Sequence, residues 1–194
     1  MQNYTVLAID LAKHVFQVVK TTEYGKAVQA TIEPFKSLLL GIFFFSVGMT
    51  IENLESRAVP AGLGLHPFFP RDADTELACR VAGVWQADAE VLPVDRIAVP
   101  PEWNFAASRP VDGVVLDNCF DGWDGSATIR WPRRGLGLSL VVTQPFRHLV
   151  IYVPKAWPYF CVEPVSHANG AVAQTSLPQG ETLAGEVLFR PFKL

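Results

Sequence analysis

From Ala58 onward the chain is a succession of short apolar runs at fairly even spacing, separated by turn formers, with no amphipathic helix of convincing length. The clearest runs are Val114-Val115-Leu116, 127–131, 138–142, 149–153 and 186–189. The clearest turns are 121–125 (Asp-Gly-Trp-Asp-Gly), Arg134-Gly135 and Pro178-Gln179-Gly180. Each such strand must bury one face against another layer. The pattern therefore predicts an all-β chain, and a β-sandwich rather than a closed barrel.

A length of 194 residues leaves room for one domain with a substantial core and a small appendage, and not for two full domains. With 49% hydrophobic and 18% charged residues the chain belongs with packed globular proteins and not with disordered ones. The net charge of -3 comes from mixed signs with no long basic run, which argues against a nucleic-acid partner. Cys79, Cys119 and Cys161 follow no metal-ligand spacing, and pairing any two would leave one over. A reducing cytoplasm is the expected location. The first residues, Met1-Gln2-Asn3-Tyr4-Thr5-Val6, carry no basic region ahead of an apolar one, so no secretory signal is expected there.

The chain before Ala58 has a different character, and a division into an N-terminal appendage (1–57) and a β-sandwich domain (58–194) is expected. Residues 1–26 contain two β-rich runs, 5–10 and 15–19, that suggest a small hairpin. The wording Ile-Asp-Leu-Ala-Lys around Asp10 resembles the opening strands of RNase H-like transposases, which implies a first metal-binding carboxylate at Asp10. Such a site needs several converging carboxylates, and the rest of that set is not evident. Residues 37–51 are uncharged throughout. As a helix they would reach roughly 22 Å, short of the about 30 Å of a bilayer's hydrocarbon core. A buried helix or strand pair, a membrane or lipid-surface anchor, and an incidental insertion are all open for this segment, and membrane association is not the favoured one. The stretch 35–49 resembles a transmembrane helix of Kef-type cation/proton antiporters.

Several residues could carry chemistry. His66 closes the apolar run Gly62-Leu63-Gly64-Leu65 and is followed by Pro67-Phe68-Phe69-Pro70, which would fix its backbone and give it an apolar wall. It is either a positioned acid/base imidazole or a core histidine bonded to backbone. Glu163 follows Phe160-Cys161-Val162 and precedes Pro164, so it should stand at a strand terminus. Desolvation there would raise its pKa and make it a better base, the alternative being a surface carboxylate capping a turn. Asp117 and Asn118 lead into a polar, aromatic loop containing Trp123. Such loops grip sugar hydroxyls with carboxylates and amides while an indole stacks on the sugar ring. A calcium loop is the competing reading, although the closing Glu of an EF-hand is absent. His148 and His167 lack the spacing of a metal pair, and no metal site is expected. Neither a phosphate-binding Gly-rich loop nor a Gly-x-Ser-x-Gly elbow occurs.

Three of these stretches, 62–70, 116–125 and 160–170, resemble in order and separation the latter part of the aldose 1-epimerases of the galactose mutarotase superfamily. The likeness covers 58–194. It implies a sugar-binding β-sandwich that needs no cofactor, with the general acid at His66, the substrate-gripping aspartate at Asp117 and the general base at Glu163. The base would take the proton of the anomeric hydroxyl of a hexose while the acid protonates the ring oxygen. The ring then opens, the aldehyde rotates, and closure gives the other anomer. Family members carry a longer N-terminal half, with an arginine and a further histidine at the sugar site that are not evident here. The expectation is therefore a truncated, impaired epimerase, a non-catalytic carbohydrate-binding module, or a composite chain without selected function.

Overall fold

Two antiparallel sheets face each other in the computed structural model, which describes residues 28–39, 42–88 and 93–194, with side chains from Phe45 onward. The strands are β1 (Val28–Leu39), β2 (Ile42–Asn53), β3 (Phe68–Pro70), β4 (Glu76–Cys79), β5 (Gly83–Ala87), β6 (Pro93–Ile97) and β7 (Arg109–Pro110). They continue with β8 (Leu116–Asp121), β9 (Ser126–Trp131), β10 (Leu136–Val142), β11 (His148–Val153), β12 (Tyr159–Val165) and β13 (Thr182–Lys193). One sheet runs β1-β2-β13-β10-β9-β4-β7, the other β3-β12-β11-β8-β5-β6. The expected sandwich is the observed one. Helical structure among the described residues is limited to three short 3-10 turns.

Alternation along the strands decides which side chains are buried. Met49 and Ile51 of β2, Val187 and Phe189 of β13, Leu138 and Leu140 of β10, and Ile129 of β9 point inward from the first sheet. They meet Phe160 and Val162 of β12, Leu149, Ile151 and Val153 of β11, and Leu116 and Phe120 of β8 in one apolar cluster. The intervening residues of β12, β11 and β8 face the other way, and that outer face is where the candidate site lies.

The turns follow the sequence closely. Gly122, Gly125, Gly135 and Gly180 all have positive φ, the conformation for which glycine is favoured. Of the run expected at 114–116 only Leu116 is in a strand: β8 begins there and continues to Asp121, through residues expected to lead into a loop.

The apolar segment 37–51 is a strand pair and not a helix. Its described residues, 37–39 and 42–51, belong to β1 and β2, which are antiparallel in register from Val28↔Asn53 to Leu39↔Ile42. Among the described residues no helix is long and apolar enough to cross a membrane. Although it precedes the boundary drawn after residue 57, β2 pairs with β13 from Phe45↔Phe189 to Glu52↔Thr182 and contributes to the core. At the end of β2, Asn53 is 1% exposed, and its amide donates to the carbonyls of Leu177 and Arg57. The hairpin expected at 1–26, with Asp10, lies outside the described residues.

Candidate active site

Glu163 and His66 are brought together by the edge of the six-stranded sheet. Within β12, Phe160 and Val162 point to the core, so Cys161 and Glu163 point to the outer face. The chain before β3 continues alongside β12: Leu65 N–H donates to Pro164 O at 3.0 Å, Ser166 N–H donates to Leu63 O at 2.9 Å, and Gly64 bridges Val165. This alignment sets His66 beside Glu163, with Nε2 3.2 Å from Oε1. The imidazole stacks on Phe68, centroids 4.7 Å apart, and its side chain is 41% exposed against 11% for that of Glu163. His66 is therefore not a core histidine. Glu163 lies inside β12, two residues short of its end, and not at a strand terminus as expected.

Asp117 is the third member of the group. It pairs with Tyr152 of β11, which pairs with Cys161 of β12, which pairs with Phe68 of β3. This row crosses four strands directly beside the one that holds Glu163. Burial raises the pKa of Asp117, and the charge of His66 pulls it partly back. Burial pushes Glu163 up to about 8, with the negative charge of Asp117 adding to the effect. The three groups thus sense one another electrostatically on a shared surface.

Asn118 and Trp123 stand apart from this group. Asn118 follows Asp117 and so points to the other face, where its amide donates to Trp85 O at 2.9 Å and ties β8 to β5. Trp123 is 2% exposed, belongs to the core cluster, and donates from Nε1 to Ser126 O at 2.8 Å. An indole enclosed in this way offers no face to a sugar, which corrects the stacking role expected of it. Aromatic residues that do stand on the outer face include Phe68, Tyr152 and Tyr159, with Trp157 beside Tyr159. Tyr159 lies 5.1 Å from Phe68, 6.4 Å from Tyr152 and 6.3 Å from Trp157, centroid to centroid. Their sequence signal is weak: Tyr152 and Tyr159 read as ordinary strand residues, and Trp157 sits between Ala156 and Pro158 in a loop.

The opposite end of the same face carries Arg96, His148 and His167. Arg96 clamps Asp121 through Nε at 2.5 Å and Nη2 at 2.9 Å, and it lies over Gly83, where a Cβ would come within 2.6 Å of its guanidinium carbon. Burial lowers the pKa of His148, against the pull of Asp121. It also lowers that of His167, to which the charge of His148 contributes. His167 Nδ1 is 3.0 Å from Ser166 Oγ, and its ring fills the space that a side chain at residue 62 would need. These two histidines belong to no metal-competent trio among the described residues. One such trio is His66, Cys161 and Glu163, whose donor atoms all lie within 4.8 Å of one another. In the structure its imidazole and carboxylate are directed at each other.

The aldose 1-epimerase family profile matches residues 45–190. The uncharacterized protein YphB of Escherichia coli K12 is 29% identical over 131 residues, which cover 63% of this chain and 45% of that protein. The chain thus spans less than half the length of that relative. Among solved structures, a candidate aldose 1-epimerase of Escherichia coli K12 superposes with a TM-score of 0.72 at 23% identity, over 91% of this chain and 68% of that one. A galactose mutarotase-like protein of Clostridium acetobutylicum gives 0.68 at 15% identity, over 91% and 65%. These two likenesses speak for the fold. A 35-residue stretch is 51% identical to the glutathione-regulated potassium-efflux protein KefC of Escherichia coli, 18% of this chain and 6% of that protein. So short a likeness, in a chain whose sheet absorbs residues 42–53 as a strand, carries no functional weight.

Proposed function

Since the chain belongs to the aldose 1-epimerase family, we propose that its outer sheet face interconverts the α and β anomers of a hexose by acid/base ring opening. The observation that carries this reading is the pairing of His66 Nε2 with Glu163 Oε1 at 3.2 Å on an open face, with Asp117 within electrostatic reach of both.

In the reaction Glu163, as carboxylate, accepts the proton of the anomeric O1–H while the His66 imidazolium gives a proton to the ring oxygen. The C1–O5 bond breaks as the C1=O1 bond forms, and the proton balance is kept by the pair. Rotation about C1–C2 presents the other face of the aldehyde. Closure then runs the same transfers backwards, Glu163 returning its proton to O1 and His66 recovering its own. Asp117 accepts hydrogen bonds from sugar hydroxyls and so fixes the ring over the pair. Burial raises the basicity of Glu163, which makes it a stronger proton acceptor once ionised.

This gives the pH dependence its sign. The base works only as the carboxylate, so kcat/KM for anomer exchange is expected to fall as pH drops through about 8, the value at which Glu163 ionises. Asp117→Asn removes the like charge and is expected to move that midpoint to lower pH while raising KM. Saturation-transfer NMR on glucose or galactose, corrected for the buffer rate at each pH, measures both. A flat profile in the wild type would count against Glu163 as the base. Sugar-induced chemical-shift changes with exchange at the buffer rate would instead show a binding module.

A further inference from the structure

We propose that His66, Cys161 and Glu163 form a site for a thiophilic divalent cation, zinc above all, and that its occupancy switches off the acid/base pair; the inhibition rests on the anomer-exchange reading above, the site itself does not. Cys161 and Glu163 are two residues apart on β12 and so share its outer face, while the backbone contact of Leu65 with Pro164 brings His66 alongside. One donor atom from each of the three lies within 4.8 Å of the other two. In a tetrahedral zinc centre, nitrogen and oxygen ligands bound at about 2.1 Å stand roughly 3.4 Å apart. His66 Nε2 and Glu163 Oε1 are already 3.2 Å apart. A thiolate at about 2.3 Å from the metal stands roughly 3.6 Å from each of them, so Sγ has about 1.2 Å at most to close, a distance that rotation about χ1 spans.

The donor set selects the metal. Calcium and magnesium ask for six or more oxygens, of which this trio supplies one carboxylate, whereas an imidazole and a thiolate suit zinc. The imidazole is held against Phe68, and Cys161 and Glu163 are buried on the strand, so much of the ordering that a metal imposes is in place before it arrives. Asp117, whose charge reaches Glu163, adds a second carboxylate that favours a cation there. Three protein ligands leave the fourth position to water from the open side, on which His66 stands. As the sulfur–metal bond forms, the thiol gives its proton to solvent, and Glu163 binds as the carboxylate. The ion then holds the Nε2 lone pair and the carboxylate oxygen that anomer exchange uses. Glu163 accepts no proton from O1, and His66 delivers none to the ring oxygen.

The test uses the intact chain freed of metal, with cobalt(II) and zinc as probes. Cobalt(II) is expected to give a thiolate-to-metal charge-transfer band that saturates at one equivalent in the wild type and is lost in Cys161→Ala, which keeps Cys79 and Cys119. Zinc is expected to lower anomer exchange, with recovery on adding a chelator, and magnesium or calcium at equal concentration to leave the rate as it was. Measured against its own metal-free rate, Cys161→Ala is expected to need about a hundredfold more zinc for half inhibition, the share of one ligand in a zinc site. Cys161→Ser carries the same comparison if the alanine variant does not fold. The proposal is overturned if cobalt(II) gives no such band in the wild type, or if the band and the zinc sensitivity are unchanged in the variant. Should the metal-free wild type exchange anomers no faster than buffer, the catalytic reading falls, and the cobalt(II) band alone decides the metal site.

Discussion

Glu163→Gln is expected to lower kcat/KM for anomer exchange by about 10²- to 10⁴-fold, the usual contribution of a positioned general base. The substitution is nearly isosteric, and the amide can still hydrogen-bond the His66 imidazole, so what is lost is proton acceptance from O1. Saturation-transfer NMR reads the rate, and exchange equal to that of the wild type would sink the assignment. Stability separates loss of chemistry from loss of fold. The pKa of Glu163 is about 8 in the folded protein against an ordinary 4.5, so between these values the native state binds the proton that the unfolded chain has released. Its contribution to stability therefore falls as pH rises through that window. Glutamine does not titrate, and the variant is expected to gain stability relative to the wild type as pH is raised from about 4.5 to about 8. A variant that is inactive yet no less stable at pH 8 would point to the carboxylate's chemistry.

Met49→Ala is expected to cost about 2–5 kcal/mol of folding free energy, the range for removing a large buried apolar side chain without refilling its space. Met49 is 1% exposed, on β2, in the cluster between the two sheets. At a urea slope of about 1–3 kcal/mol per molar this moves the unfolding midpoint down by roughly 1 M or more. The location of Met49 gives the measurement its meaning. If residues before 58 formed an appendage separable from the sandwich, truncating Met49 would leave the main transition where it was. A single cooperative transition that shifts as a whole would make β2 part of the same folding unit as β13. An unmoved midpoint would restore the appendage.

β9, β10 and β11 are legible because each is a short apolar run bounded by turn residues, and period-two alternation needs only local sequence; of the twelve residues of β13 only 186–189 stand out, and β12 reads only as an apolar run ending at Glu163. The pairing of His66 with Glu163 was suggested by resemblance, and the structure supplies its physical basis in the backbone contact of Leu65 with Pro164. Trp123 reads as an exposed loop residue because its neighbours, Asp121, Gly122, Asp124 and Gly125, describe a polar exposed turn. Gly122 and Gly125, with φ of 60° and 86°, shape that turn, and the indole folds back inside it onto Ser126. Trp157 carries no signal in the sequence for the converse reason. Nothing adjacent to it in sequence reveals that Tyr159, Tyr152 and Asp117 converge from three strands upon its neighbourhood. The role of β2 was equally hidden, since hydropathy alone does not separate a buried strand from a short apolar helix, and its partner β13 lies far along the chain.

That separation also sets an order of events on the ribosome. Phe45 pairs with Phe189 and Glu52 with Thr182, so β2 leaves the exit tunnel long before its neighbour on that side exists. At about 5–20 residues per second the interval is on the order of ten seconds, far longer than a hairpin needs to form. Throughout it β1 can cover one edge of β2, while the other edge has no strand to pair with, and the inward-facing Val47, Met49 and Ile51 wait for the strands of the facing sheet, the last of which is β12. Contacts so distant in sequence also close slowly once both strands are present. The nascent chain is therefore most exposed to aggregation while it is still being made, and a chaperone that shields an apolar strand would act on this one first.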